Sequence, residues 1–202
     1  MSAVVLTAVA CQPVAARHGP ALAPDEFRVR VETTKGAFVI AVHRAWAPHG
    51  ADRLFQLVGV KYFDDSRFFR VRAGYIAQFG IAGNAGVAML WRDSTILDDS
   101  AHHSNTRGTV AFATTGPETR TTQLFVNLAN NPQLDRQGFA PLGEVVEGMD
   151  VADKLFADYG ENSGGAMRPG GQRPLYEEGN PYTDTHFPLL DRLLRARIVD
   201  AK

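Results

Sequence analysis

Between Asp25 and His43 the side chains repeat with a period of two, and no other feature constrains the fold of this chain as tightly. Phe27, Val29 and Val31 interleave with Arg28, Arg30 and Glu32. In an extended chain this places the apolar residues on one face and the charges on the other. "TTKG" then supplies a turn, and Phe38, Ile40 and Val42 continue along one side of a second strand. Ala37, Val39 and Ala41 occupy its other side, so this strand is expected to be buried on both faces. The two read as a hairpin.

Further on, "RFFRVRAGYIAQF", "GTVAFAT" and "TQLFVNL" are rich in β-branched or aromatic residues and bounded by Gly, Pro or Asn, as strands are. "FAPLGEVVEG" adds another. The final "RLLRARIV" alternates at Leu194, Ala196 and Ile198 and reads as a closing strand, with a helix from Pro188 as the alternative. Only two segments carry helical spacing: Ala51, Leu54, Phe55 and Val58 between Pro48 and Gly59, and Met149, Ala152 and Leu155 or Phe156 before Gly160. The expected fold is mainly β, a closed antiparallel barrel capped by two α-helices.

At 202 residues, 45% of them hydrophobic, the chain suits one domain, expected over residues 25–202. Residues 1–24 form a separate N-terminal segment whose "TAVAC" resembles a bacterial lipoprotein cleavage box ending at Cys11. It implies a membrane tether through Cys11 and a place in the cell envelope or periplasm. The alternative is an unprocessed tail on a cytoplasmic protein. "GIAGNAGVAMLWRDSTILDDSAHHSNTRG" is a long irregular excursion without an obvious apolar helix, and its glycine spacing is not a nucleotide fingerprint. Residues 160–188, rich in Gly and Pro, read as an extended surface segment.

Lys plus Arg number 21 and Asp plus Glu 22, so no excess of positive charge points to nucleic acid. Cys11 is the only cysteine, and His43, His49, His102 and His103 hold no metal-ligand spacing. No Gly-x-Ser-x-Gly elbow marks a serine hydrolase. What remains is a groove. Ile76 and Gln78 share one face of their strand, and Gln123 and Phe125 share the face of theirs that lies opposite Leu124, Val126 and Leu128. Aromatic residues beside amides on an outward face suit peptide binding. Arg70 stands at the start of this region, between Phe69 and Val71.

Taken together, "FFRVRAGYIAQFG", "GTVAFATTGPETRTTQLFVNL" and "LDRQGFAPLGEVVEGMDVADKL" resemble the cyclophilin family of peptidyl-prolyl cis/trans isomerases in its bacterial form, with the blocks in family order from about Phe27 to Phe156. The resemblance implies an eight-stranded closed barrel with a substrate groove on its outer surface. It further implies a monomeric, cofactor-free isomerase that assists folding of proline-containing polypeptides. Arg70 matches the catalytic arginine and Gln78 the glutamine that holds a substrate carbonyl. Ile76, Phe125 and Leu134 match the proline pocket. Tyr75 stands where phenylalanine is usual, and Phe139 where animal cyclophilins carry histidine. Ala113 and Thr114 match the segment whose backbone binds the residue before proline, with Gln123 lining the same groove. Gln133 replaces the tryptophan that grips cyclosporin in many eukaryotic members, so strong binding of that drug is not expected. The alternative reading is a cyclophilin-like module that binds proline peptides with little turnover.

Overall fold

The structure is a computed structural model that describes residues 22–164 and 171–201. "TAVAC" and Cys11 lie outside the described residues. Strand β1 (Glu26–Thr33) pairs antiparallel with β2 (Gly36–His43), with Thr33 opposite Gly36 across the expected turn. Phe27, Val29 and Val31 are buried while Arg28 and Arg30 face solvent, and Phe38, Val39 and Ile40 are buried in succession, the mark of a strand covered on both sides. Helix α1 (Pro48–Gly59) starts with Pro48 in its first turn and lays Ala51, Leu54, Leu57 and Val58 against the core. Full burial of Leu54 and Leu57 contributes about 1.5–3 kcal/mol each.

Seven strands follow: β3 (Ser66–Arg67), β4 (Arg70–Arg72), β5 (Ile76–Phe79), β6 (Thr109–Phe112), β7 (Leu124–Asn127), β8 (Pro141–Glu147) and β9 (Arg192–Ala201). All pair antiparallel in one nine-stranded sheet ordered β3-β9-β1-β2-β8-β6-β7-β5-β4. The protein is therefore mainly β as expected, but the sheet is open and curled, not a closed eight-stranded barrel. Its two edges, β3 and β4, adjoin in sequence through Phe68 and Phe69. Among the described residues β3 pairs only with β9 and β4 only with β5, and between them the Phe68 amide donates to the Asp191 carbonyl (3.0 Å) while the Phe69 carbonyl accepts the Ser163 hydroxyl (2.7 Å). Phe68 turns inward to stack near Phe38 and Phe79, at centroid distances of 6.5 and 5.3 Å.

Five α-helices occur among the described residues, where two were expected. Besides α1, these are α2 (Ala85–Trp91), α3 (Met149–Asp153), α4 (Arg173–Glu177) and α5 (Asn180–His186). Helix α3 is the second predicted helix. The excursion after Gly80 opens α2, capped by the Asn84 side chain accepting from the Val87 amide at 3.1 Å. The segment from Gly160 to Pro188 is not simply extended surface. Pro174 and Pro181 sit in the first turns of α4 and α5, and Leu175 and Tyr176 are buried in the main core cluster. Pro174 and Pro181 mark helix starts, so a composition that reads as extended builds two short helices instead. Strand β9 closes the chain as expected, but a register shift beside Thr33 buries Leu193 and Ala196 and leaves Leu194 exposed.

Candidate active site

The strand register alone assembles the site. Arg70 on β4 lies opposite Gln78 on β5, Gln78 opposite Phe125 on β7, and Phe125 opposite Ala111 on β6. These four residues form one row across the outer face of the sheet, because directly paired residues point to the same side. Leu124 and Val126 take the opposite face and join the main core, as the alternation in "TQLFVNL" predicts.

At the polar end of the row the side chains form a relay. The Arg70 Nη1 donates to Gln78 Oε1 (3.0 Å), and Gln78 Nε2 donates to Gln123 Oε1 (2.8 Å). Gln123 Nε2 in turn donates to Gln172 Oε1 and to the Tyr176 hydroxyl, both at 2.9 Å. Gln78 is buried, so these bonds replace the water its amide would otherwise need. Burial also pushes the Tyr176 hydroxyl up from its ordinary pKa, against the lowering effect of the bond from Gln123. The remaining edge of the guanidinium meets Glu161 side-on, through Nε to Oε2 (2.8 Å) and Nη2 to Oε1 (2.7 Å). This carboxylate is supplied from 91 residues away in the chain.

Beyond Gln78 the row becomes apolar. Ile76, Ala111, Phe125 and Leu134 form a small buried cluster distinct from the main core, with Tyr75, Ala113 and Phe139 packed against it. Phe139 meets Phe125 edge to face, ring centroids 5.5 Å apart. Such a cluster on the outer side of a sheet, ending in a half-buried guanidinium, makes a surface that takes an apolar ring at one end and a polar atom at the other.

A buried asparagine network holds this apolar wall. Asn131 Nδ2 donates to the Tyr75 carbonyl (2.9 Å) and to Asn127 Oδ1 (2.8 Å), and Asn127 Nδ2 donates to Asn105 Oδ1 (3.1 Å). Asn105 Nδ2 donates to the Phe139 carbonyl (2.9 Å) and to Asp135 Oδ1 (2.8 Å). The backbone on either side of Leu134 is thus tied down. Asp135 begins the 3₁₀ turn Asp135–Gln137. Partial burial alone would raise its carboxyl, but hydrogen bonds from Ser104 and Asn105 hold it below the usual carboxylate range.

Ala113 and Thr114 form the groove edge. The Ala113 amide donates to the Gln123 carbonyl (2.9 Å). Thr114 lines a small recess with Gln78, Gln123 and Gln172 and also borders a larger cleft of about 450 Å³ reached past Phe139. Asp98 and Asp99 on the cleft wall are bonded to Arg120 at 3.2 and 2.9 Å, so the "PETR" loop is pinned by its buried arginine and is not a free charge. Every nominated site residue lies in the Arg70–Gln78–Phe125 row, in the apolar cluster beside it, or bonded to or lining the recess next to it. Among the described residues no group of three or more His, Cys, Asp or Glu is placed to hold a metal ion.

A family model described as cyclophilin type peptidyl-prolyl cis-trans isomerase matches residues 28–171. The chain belongs to this family. The cyclophilin assignment is consistent with curated relatives: a peptidyl-prolyl cis-trans isomerase of Acinetobacter baylyi is 32% identical over 136 residues, spanning 63% of this chain and 70% of that one. Peptidyl-prolyl cis-trans isomerase A of Dickeya dadantii is 30% identical over 172 residues, spanning 81% and 90%. Among solved structures, a Cryptosporidium parvum cyclophilin superposes with a TM-score of 0.63 at 16% identity, covering 88% of this chain and 99% of its own. This supports the cyclophilin fold. The protein is thus a peptidyl-prolyl cis-trans isomerase of the cyclophilin type.

Sequence reasoning missed several residues of this cyclophilin's site. Ala111 was legible in principle, since it lies two residues before Ala113 and shares its strand face. The asparagines carry no period or motif that marks them. Glu161, Gln172 and Tyr176 come from a segment with no family landmark in the sequence, and only tertiary packing brings them to Arg70 and Gln123.

Proposed function

We propose that this cyclophilin accelerates rotation about X-Pro bonds in flexible or unfolded polypeptides, with Arg70 as its catalytic residue. The observation that carries the reading is the single row from the Arg70 guanidinium through Gln78 to Phe125 and Ala111. A pyrrolidine ring seated on Ile76, Phe125, Leu134 and Phe139 leaves its amide beside Gln78 and the guanidinium. The planar amide resists rotation by about 18–20 kcal/mol because twisting breaks its resonance. In the twisted state the prolyl nitrogen becomes pyramidal and regains a lone pair. A fixed N–H donor aimed there binds the twisted state better than the planar one, which is what lowers the barrier. No proton changes hands and no covalent intermediate forms. The apolar wall excludes water that would compete for the same donor.

Arg70→Ala is expected to lower kcat/KM by roughly 10²–10³, the usual effect of removing one preorganised donor, with the fold retained. Arg70→Lys restores charge without the planar fork and is expected to rescue little of the loss. A protease-coupled assay on a short Pro peptide tests both: near wild-type rates in Arg70→Ala would overturn the role of Arg70, and an equally slow wild type and variant would favour the alternative of a peptide-binding module. We also place the protein in the bacterial envelope, lipid-tethered through Cys11, a reading supported by "TAVAC". Mass spectrometry of the mature protein from its native host tests it, and an unmodified Cys11 contradicts it.

A further inference from the structure

We propose that Glu161 is a positioning residue for the isomerase reaction, fixing the plane of the Arg70 guanidinium. This rests on the reading of Arg70 as the catalytic donor. A free arginine side chain explores many rotamers, and a donor that must meet one nitrogen in one geometry is effective only when held. Here all three guanidinium nitrogens are engaged: Nε and Nη2 by the two oxygens of Glu161, and Nη1 by Gln78. Three bonds in the plane of a rigid fork fix its tilt and its rotation together. Arginine carries five N–H groups, so about two of them, one each on Nη1 and Nη2, stay uncommitted by these bonds and can face a substrate.

The segment that brings Glu161 is itself anchored. Two residues on, the Ser163 hydroxyl donates to the Phe69 carbonyl (2.7 Å), directly before Arg70 in the chain. Gly164 packs so closely that a Cβ there would sit 2.7 Å from the Phe69 ring and 2.8 Å from Leu175. Its carbonyl accepts from Gln172 Nε2 (3.1 Å), which links it to the far end of the glutamine relay. The segment therefore touches both ends of the polar network, at Arg70 and at Gln123. None of its described apolar residues packs against the cluster of Ile76, Ala111, Phe125 and Leu134. That arrangement braces the donor from its polar side.

The competing role for the same contact is a brake, in which the carboxylate neutralises the guanidinium and withholds it from substrate. The two roles predict opposite signs. Glu161→Ala is expected to lower kcat roughly 10-fold or more, since misplacing a reacting group by about 1 Å can cost ~10². Peptide affinity, measured separately by NMR titration, is expected to change less than about 2-fold, because the pocket is untouched. Glu161→Gln, which keeps an acceptor oxygen, is expected to fall between wild type and alanine, and it serves as the test variant if alanine compromises folding.

The deciding comparison is a double-mutant cycle with Arg70→Ala. If Glu161 acts through Arg70, adding Glu161→Ala to Arg70→Ala causes no further loss. Unchanged or faster turnover in the single Glu161 variants, or an additive loss in the double variant, overturns the proposal while leaving Arg70 as the donor. A wild-type protein without isomerase activity would overturn the functional reading itself, and the positioning role with it.

Discussion

Replacing Gly80 by alanine strikes the point where β5 leaves the site, and the consequence can be worked out from the backbone. Gly80 has a φ of +106°, a conformation that side-chain-bearing residues rarely adopt. Its added Cβ would lie 2.3 Å from the Thr122 carbonyl oxygen and 2.7 Å from the Gln123 Cα, both backbone atoms that cannot swing away. The Gly80 carbonyl also accepts the Thr122 hydroxyl at 2.8 Å, so the two segments are locked face to face. Strained φ costs about 1–3 kcal/mol and overpacking a similar amount, giving a loss of about 2–6 kcal/mol. For a domain of this size 1 kcal/mol moves Tm by about 2–4 °C, so the substitution should lower Tm by at least about 4 °C. It should also loosen the Gln78 to Gln123 bond two residues away and reduce kcat/KM. Thermal unfolding by circular dichroism, with the peptide assay run well below Tm, checks both effects. A Tm within about 2 °C of wild type would refute the reasoning that this close approach is obligatory.

Asp135→Asn removes a carboxylate that accepts from Ser104 and Asn105, and is expected to cost about 1.5–3 kcal/mol near neutral pH. The folded-state pKa of Asp135 is lowered, so its stabilisation is full above the unfolded value of about 3.9 and is lost as pH falls through the folded value. The Tm gap between wild type and variant should therefore shrink from pH 7 towards pH 2.5, and a gap that does not change with pH would contradict the assignment. Gln133→Trp is expected to tighten cyclosporin binding at least about 10-fold, about 1.4 kcal/mol, over a weak wild-type affinity measured by tryptophan fluorescence. Equal affinities would show that position 133 does not limit drug binding here.

How much of this was legible beforehand depends on the range of the interaction that sets each feature. The β1–β2 hairpin, α1 and the outward face of Gln123 and Phe125 follow from local period and could be read directly. The sheet edges could not: among the described residues β3 pairs only with β9 and β4 only with β5, and the Phe69 carbonyl between them accepts the Ser163 hydroxyl, a contact 94 residues distant. Two short helices hid in a stretch whose prolines and glycines look like loop punctuation until Pro174 and Pro181 are seen as first-turn residues. The same limit applies in the site. Family blocks located Arg70 and Gln78, but the partner that holds the guanidinium lies in a segment that carries no landmark, so neither period nor motif led to Glu161.

The central claim is that a guanidinium held at the end of an apolar groove drives prolyl isomerisation. Its most direct test is the cis-to-trans rate of a short Ala-Pro peptide with wild type and Arg70→Ala side by side, each shown to be folded by circular dichroism. The account predicts a fast wild type and a folded variant slower by roughly 10²–10³. Two proteins of equal rate would contradict it.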